Sequence, residues 1–163
     1  ALLSEIEQTQ GGVVIWARFR NELTLITHAL RKEFGARSVV EYHGGITADL
    51  RTKAKAAFKL ETHEQYPEAR FFVGNQATGA YGLELTYADT VYYYSNLYSL
   101  EKRLQSEDRP ITMLKKTGIA YVDFISPGTV DTKIVRALQG KKEVATALLD
   151  SGGLTAWLKR ARK

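Results

Sequence analysis

The chain has 163 residues, 44% of them hydrophobic and 25% charged, and carries a formal charge of +5. That is the make-up of an ordinary globular domain with enough length to bury a core of several elements. No apolar run approaches the ~20 residues of a membrane-spanning helix. Nothing around Leu2 and Leu3 resembles a secretory signal, since Ser4 and Glu5 follow at once. The absence of cysteine excludes disulfides and thiolate metal sites. His28, His43 and His63 stand at no familiar ligand spacing, so no metal site is expected in this chain. The basic balance favours an anionic partner such as nucleic acid. Part of it is local, in Lys141, Lys142, Lys159, Arg160, Arg162 and Lys163.

Strand and helix signals alternate along the chain. Residues 13–17 (VVIWA) read as a buried strand after Gly11-Gly12. Residues 21–34 read as a helix with Leu23, Ile26, Leu30 and Phe34 on one face, ended by Gly35. A strand follows at 38–42. Thr47 is the expected N-cap of a helix reaching Leu60, with Leu50, Ala54, Ala57 and Phe58 as its inner stripe. Residues 70–73 form the next strand, 74–85 a glycine-rich turn region and 90–94 another strand. A helix is expected from Tyr98 to about Thr112, with Leu97, Leu100 and Leu104 facing inward. Residues 119–125 read as a strand and 130–149 as a long helix with Val130, Ile134 and Leu138 inward; a short helix at 154–161 closes the chain. The run Tyr92-Tyr93-Tyr94 alternates faces in a strand and is expected to pack in the core.

This alternation argues for an α/β fold, a parallel sheet with helices on both faces. In such sheets ligands bind outside the carboxyl ends of the strands. Polar and glycine-rich residues follow those ends here: Arg18 and Arg20, His43-Gly44-Gly45, Gly74 to Gly82, and Ser95-Asn96. They are expected on one rim.

Five segments, in order, carry a resemblance. They are GGVVIWARFRNELTLITHAL, YHGGITADLRTKAKAAF (Tyr42 to Phe58), ATGAYGLELTYADTV (Ala77 to Val91), QSEDR (Gln105 to Arg109) and FISPGTVDTKIVRALQGKKEVATALL. Together they resemble the second, C-terminal RecA-like lobe of a superfamily-two helicase or translocase, in particular of the Swi/Snf type. The third is similar to the family's G-x-x-G-[hydrophobic]-N-L-T-x-A-D motif and the fourth to its Q-x-E-D-R.

The resemblance implies a RecA-like sheet and a role as one half of an ATP-driven machine on nucleic acid, with duplex DNA favoured. It implies that Arg109 and Gln105 act in catalysis, Arg109 as a fixed cation near a γ-phosphate and Gln105 orienting water or a phosphate oxygen. Gly82, Glu84, Gln105 and Arg109 would face ATP. Arg18, His43, Gly44, Thr78 and Gly79 would line the nucleic-acid groove, Thr78 through its hydroxyl and backbone N–H; the other role for His43 is to cap the Gly44-Gly45 turn. The partners implied are nucleic acid and an N-terminal ATP-binding lobe of the same protein, and the compartment cytoplasmic, in a bacterial or phage version, or nuclear.

The sequence contains neither a G-x-x-x-x-G-K-[ST] phosphate loop nor a D-E-x-[HD] motif. ATP and magnesium are therefore expected mainly on the other lobe, and this chain alone is expected not to hydrolyse ATP. The chain is read as a single lobe, residues 1–163, and a fragment of a larger protein. Two departures stand out. The family's second arginine, three residues after the first, is Thr112 here, with Lys115 or Lys116 as substitutes; and Glu84 stands where the family carries asparagine.

Overall fold

Strand β1 (Gly12–Trp16) is buried along its whole length and hydrogen-bonds to a parallel neighbour on each side. The computed structural model describes residues 2–79, 82–115 and 118–150. Within them β2 (Val39–Tyr42), β3 (Phe71–Gly74), β4 (Ala88–Tyr93) and β5 (Ala120–Asp123) complete an all-parallel sheet of order β2-β3-β1-β4-β5. The helices are α1 (Leu2–Glu7), α2 (Arg20–Phe34), α3 (Ala48–Phe58), α4 (Gln76–Gly79), α5 (Leu100–Asp108) and α6 (Val130–Asp150). This is the RecA-like α/β sheet that the sequence predicts.

Alternation along the strands divides the core in two. Val14, Trp16, Phe72, Val91 and Tyr93 face one side, where Ala54, Ala57 and Phe58 of α3 and the loop residues Leu83 and Leu85 cover them. Val13, Ile15, Phe71, Val73 and Tyr92 face the other, beneath Ile6 of α1 and Leu23, Ile26 and Leu30 of α2. The tyrosine run thus splits as its period requires. Tyr92 and Tyr93 are buried on opposite faces, and Tyr94 emerges at the strand end.

The helix ends follow local chemistry. At α2 the Glu22 carboxylate accepts the Phe19 N–H at 3.0 Å, and Gly35, at φ +95°, closes the helix by donating to the Arg31 carbonyl. Thr47 caps α3 as expected, its hydroxyl accepting from the Leu50 N–H at 3.3 Å.

Several expectations change. Leu50 is 51% exposed rather than inward, because the first turn of α3 borders an open cavity of about 430 Å³ that it lines with Val39 and Val40 of the edge strand β2. Val130 is exposed for a similar reason: α6 is seated only from Ile134 onward, through Ile134, Val135 and Leu138. Helix α5 is shorter than 98–112, and Leu97, Leu100 and Leu104 are half-buried. The turn region after β3 contains α4, and α1 is an element too short to show a period. Arg70 fastens the segment after α1 by donating to the carbonyls of Ile6, Thr9 and Gly11. The helix expected at 154–161 lies outside the described residues.

Phe58 is fully buried against Phe72 and Tyr87. Phe58→Ala should cost about 3–5 kcal/mol in urea unfolding, whereas Leu50→Ala should cost less than ~1 kcal/mol. Equal losses would contradict the edge position of Leu50.

Candidate functional site

Because every strand runs the same way, the turns after β1, β2, β3 and β4 open on a single rim. Asn75 joins three of them. Its N–H donates to the Tyr42 carbonyl at 3.2 Å, and its amide donates to the carbonyls of Ala17 (3.2 Å) and Arg18 (2.7 Å). Its side-chain oxygen accepts the Ala77 N–H at 2.8 Å and so starts α4. Ser95, after β4, accepts the Arg18 N–H at 2.7 Å and donates to Glu22 at 2.6 Å. These bonds leave the Arg18 guanidinium exposed beside the Phe19 ring, 5.0 Å from its centroid.

A cleft of about 240 Å³ opens between these turns, lined by Arg20, Leu23, His43, Gly44, Gly45, Asn75 and Thr78. A Cβ on Gly45 would lie 2.5 Å from Arg20 Nη2, so glycine there admits the guanidinium. Around Gly44 the space is open. His43 takes the capping role: Nδ1 accepts the Gly45 N–H at 3.1 Å, and Nε2 lies 3.4 Å from Glu41. Thr78 offers the cleft less than expected. Its N–H is taken by the Asn75 carbonyl at 3.1 Å, which leaves the hydroxyl. Gly79 is the last residue of α4.

The other predicted residues meet at a second place. Gly82, at φ +65°, turns the chain into the segment that carries Leu83 and Leu85 to the core. Here a left-handed backbone, rather than close approach, calls for glycine. Leu85 donates its N–H to the Arg109 carbonyl at 2.9 Å, and Arg109 Nη1 donates to the Leu83 carbonyl at 3.4 Å. The glycine motif and the Q-x-E-D-R motif therefore touch. Gln105 donates to Glu101 at 3.1 Å, and its Oε1 is a buried acceptor with no hydrogen bond. Such an atom calls for a donor, which a water supplies and a phosphate oxygen does not.

Glu84 makes a surface ion pair. Its carboxylate is 61% exposed and bonds Lys59 at 2.7 Å, pushing that ammonium up from its ordinary value. Lys115 does not stand in for the missing arginine. Its ammonium donates to the carbonyls of Tyr87 (3.0 Å) and Ala88 (2.6 Å) and to Asp89 (2.7 Å), at the amino end of β4. The Thr112 hydroxyl accepts the Leu114 N–H at 3.3 Å. Lys116 and the basic residues 159–163 lie outside the described residues.

One side chain that the sequence did not single out is the centre of a network. Arg103 makes two bonds to Asp123 (2.5 and 3.0 Å), one to Asn96 (2.8 Å) and one to Glu107 (2.7 Å), and its guanidinium stacks 3.4 Å from the Tyr93 ring centroid. Burial works against its charge, but Asp123, Tyr93 and Glu107 together more than offset that and raise its pKa. Burial pushes the Tyr93 hydroxyl up, so it stays protonated beside Ser106, 2.9 Å away.

No protein-family model matches the chain. Over 78 residues, 48% of its length, it is 33% identical to the chromatin-remodeling ATPase INO80 of Mycosarcoma maydis. Over 83 residues, 51% of its length, it is 26% identical to the lymphoid-specific helicase of Homo sapiens. The fold matches the C-terminal part of the Fun30 ATPase domain with a TM-score of 0.70 and 16% identity, over 84% of this chain and 44% of that one. In sequence the chain is similar to Swi/Snf-type helicases, and in fold to the C-terminal part of the Fun30 ATPase domain. It spans 4% of the INO80 protein and 10% of the lymphoid-specific helicase.

Sequence reasoning missed Asn75 and Arg103, whereas Arg20 stands on the rim where the sequence places it. An asparagine directly after a strand and before a turn was the available signal for the first. Asn75→Ala strips three bonds from the rim and should cost about 1–3 kcal/mol in chemical denaturation. Gly44→Ala, in open space, should stay within about 0.5 kcal/mol of wild type. A large loss for Gly44→Ala would show that the turn is packed more tightly than described.

Proposed function

We propose that this chain is the second lobe of an ATP-dependent translocase acting on nucleic acid, with duplex DNA as the track. One observation carries the reading: the loop after α4 is hydrogen-bonded to Arg109, so a groove on the strand rim and a cation at the end of α5 share one connected segment. Arg18, Arg20 and the His43–Gly45 turn with Gly44, then Thr78 and Gly79, would take the backbone phosphates of the bound strand. Arg109 and Gln105, with the Gly82 turn holding the loop in place, would face the nucleotide. The Arg109 guanidinium donates to the Leu83 carbonyl at 3.4 Å, and Gln105 would orient water or a phosphate oxygen beside it.

ATP and magnesium would be held mainly by a partner lobe, and bound ATP supplies the γ-phosphate whose charge Arg109 would meet. A preorganised guanidinium at that point stabilises charge that develops during transfer. The names of the relatives, a chromatin-remodeling ATPase and helicases, support this reading. A compartment holding DNA, the nucleus or the cytoplasm, follows from it. No helix among the described residues is long and apolar enough to cross a membrane.

A second reading is a nucleic-acid-binding or docking domain that kept the fold and lost the motor. Thr112 favours it, and Lys115, one of the two candidate substitutes, is bonded at the amino end of β4 instead. DNA-stimulated ATPase of the full-length protein separates the two. Arg109→Ala keeps the main-chain bond to Leu85 and should lower the rate by about 10³-fold or more. No ATPase in the wild type with any nucleic acid would sink the motor reading. On the rim, Arg18→Ala and Arg20→Ala should each flatten the log–log salt dependence of DNA binding by about one unit, uniformly across sequences.

A further inference from the structure

We propose that Arg103 is a positioning residue that couples the nucleic-acid rim to Arg109. The inference rests on the translocase reading above. Three observations carry it. First, Arg103 is a long cation with an 11% exposed side chain, and its bonding groups are all on neighbouring elements or on its own helix. It bonds Asp123 at the end of β5, Asn96 in the turn after β4 and Glu107 one turn further along α5, and it lies flat on Tyr93 of β4.

Second, the network continues to the rim. Asn96 is buried and donates its amide to Asp123 at 2.7 Å. The next residue, Leu97, donates its N–H to the side-chain oxygen of Gln76 at 3.1 Å. Gln76 is buried and begins α4, the element that carries Thr78 and Gly79. A shift of α4 on loading the rim therefore acts on the turn at 96–97, and through Asn96 on Arg103.

Third, Arg103 and Arg109 share α5 and its end. Glu107, between them, is fixed from one side by Arg103 at 2.7 Å and from the other by Lys142 of α6 at 3.2 Å. The path is contiguous, and its polar members are buried or half-buried. Only a planar, five-donor guanidinium satisfies Asp123, Asn96 and Glu107 together while stacking on Tyr93. Lysine keeps the charge and loses the fork.

The test uses the full-length protein that carries this chain, with a blunt duplex DNA oligonucleotide as probe. Arg103→Lys is compared with Asn96→Ala, which cuts only the arm to the turn after β4, and with Arg109→Ala. DNA affinity and DNA-stimulated kcat are measured on each. Arg103→Lys and Asn96→Ala should lower stimulated kcat by about 10- to 100-fold, while the Kd for DNA stays within about twofold of wild type. If Arg103→Lys does not fold, Asn96→Ala decides alone. Unchanged kcat in the folded variants overturns the proposal. So does a loss of kcat matched by an equal loss of DNA binding, which is what a merely structural residue produces. If Arg109→Ala leaves the wild-type rate intact, the translocase reading itself falls and takes this inference with it.

Discussion

The constraint on which the molecule depends is the complete burial of β1 between two parallel neighbours. A strand buried on both faces has no polar side to turn to water, so all five of its residues, Gly12 to Trp16, are apolar or glycine. Parallel pairing then fixes where everything else goes. Each return crosses the sheet through a helix, and each carboxyl end comes out on the same rim. The cleft around Arg20, Gly45 and Asn75 is a consequence of that direction. Gly12 shows how closely the amino end of β1 is packed: a Cβ there would lie 2.6 Å from the Tyr87 ring.

The rim itself is built from main-chain groups held by a few small polar side chains. Asn75 and Ser95 satisfy carbonyls and N–H groups that the strand ends leave open. Their work frees the longer cations. Arg18 and Arg20 are not needed to satisfy the turns they sit on, and the Arg20 guanidinium lies where a Gly45 Cβ would be 2.5 Å away. His43 is the opposite case, with Nδ1 spent on the Gly45 N–H and Nε2 beside Glu41. A side chain that closes its own turn has fewer groups to offer than the basic residues after β1.

Periodicity made β1, α2 and the Thr47 cap readable from sequence, because each is long or chemically marked. It failed where an element projects beyond its support. Leu50 has the spacing of a core residue but borders an open cavity beside β2; Val130 likewise begins α6 ahead of the packed face. Motif resemblance located Gly82 and Arg109, and the structure brings them to one seam. It could not show that Glu84 would turn to Lys59, or Lys115 to β4, because both are long side chains whose partners lie far off in sequence. Arg103 was invisible for the same reason. Of its partners, only Glu107 stands at helical spacing; Asp123 is twenty residues away and Asn96 lies in a turn.

That network also explains how a buried charge is tolerated at the heart of the lobe. A guanidinium taken out of water is costly unless its donors are met. Here the Asp123 carboxylate takes two of them, Asn96 and Glu107 two more, and the Tyr93 face covers the plane. A hydrophobic residue of the same volume would hold β4, β5 and α5 together more simply, but without direction. The fork geometry sets the angle of α5 against the sheet, and with it the place where Arg109 ends. Under the proposed function, presenting one cation at a fixed point would be a reason to use a directional contact where a greasy one would suffice for stability.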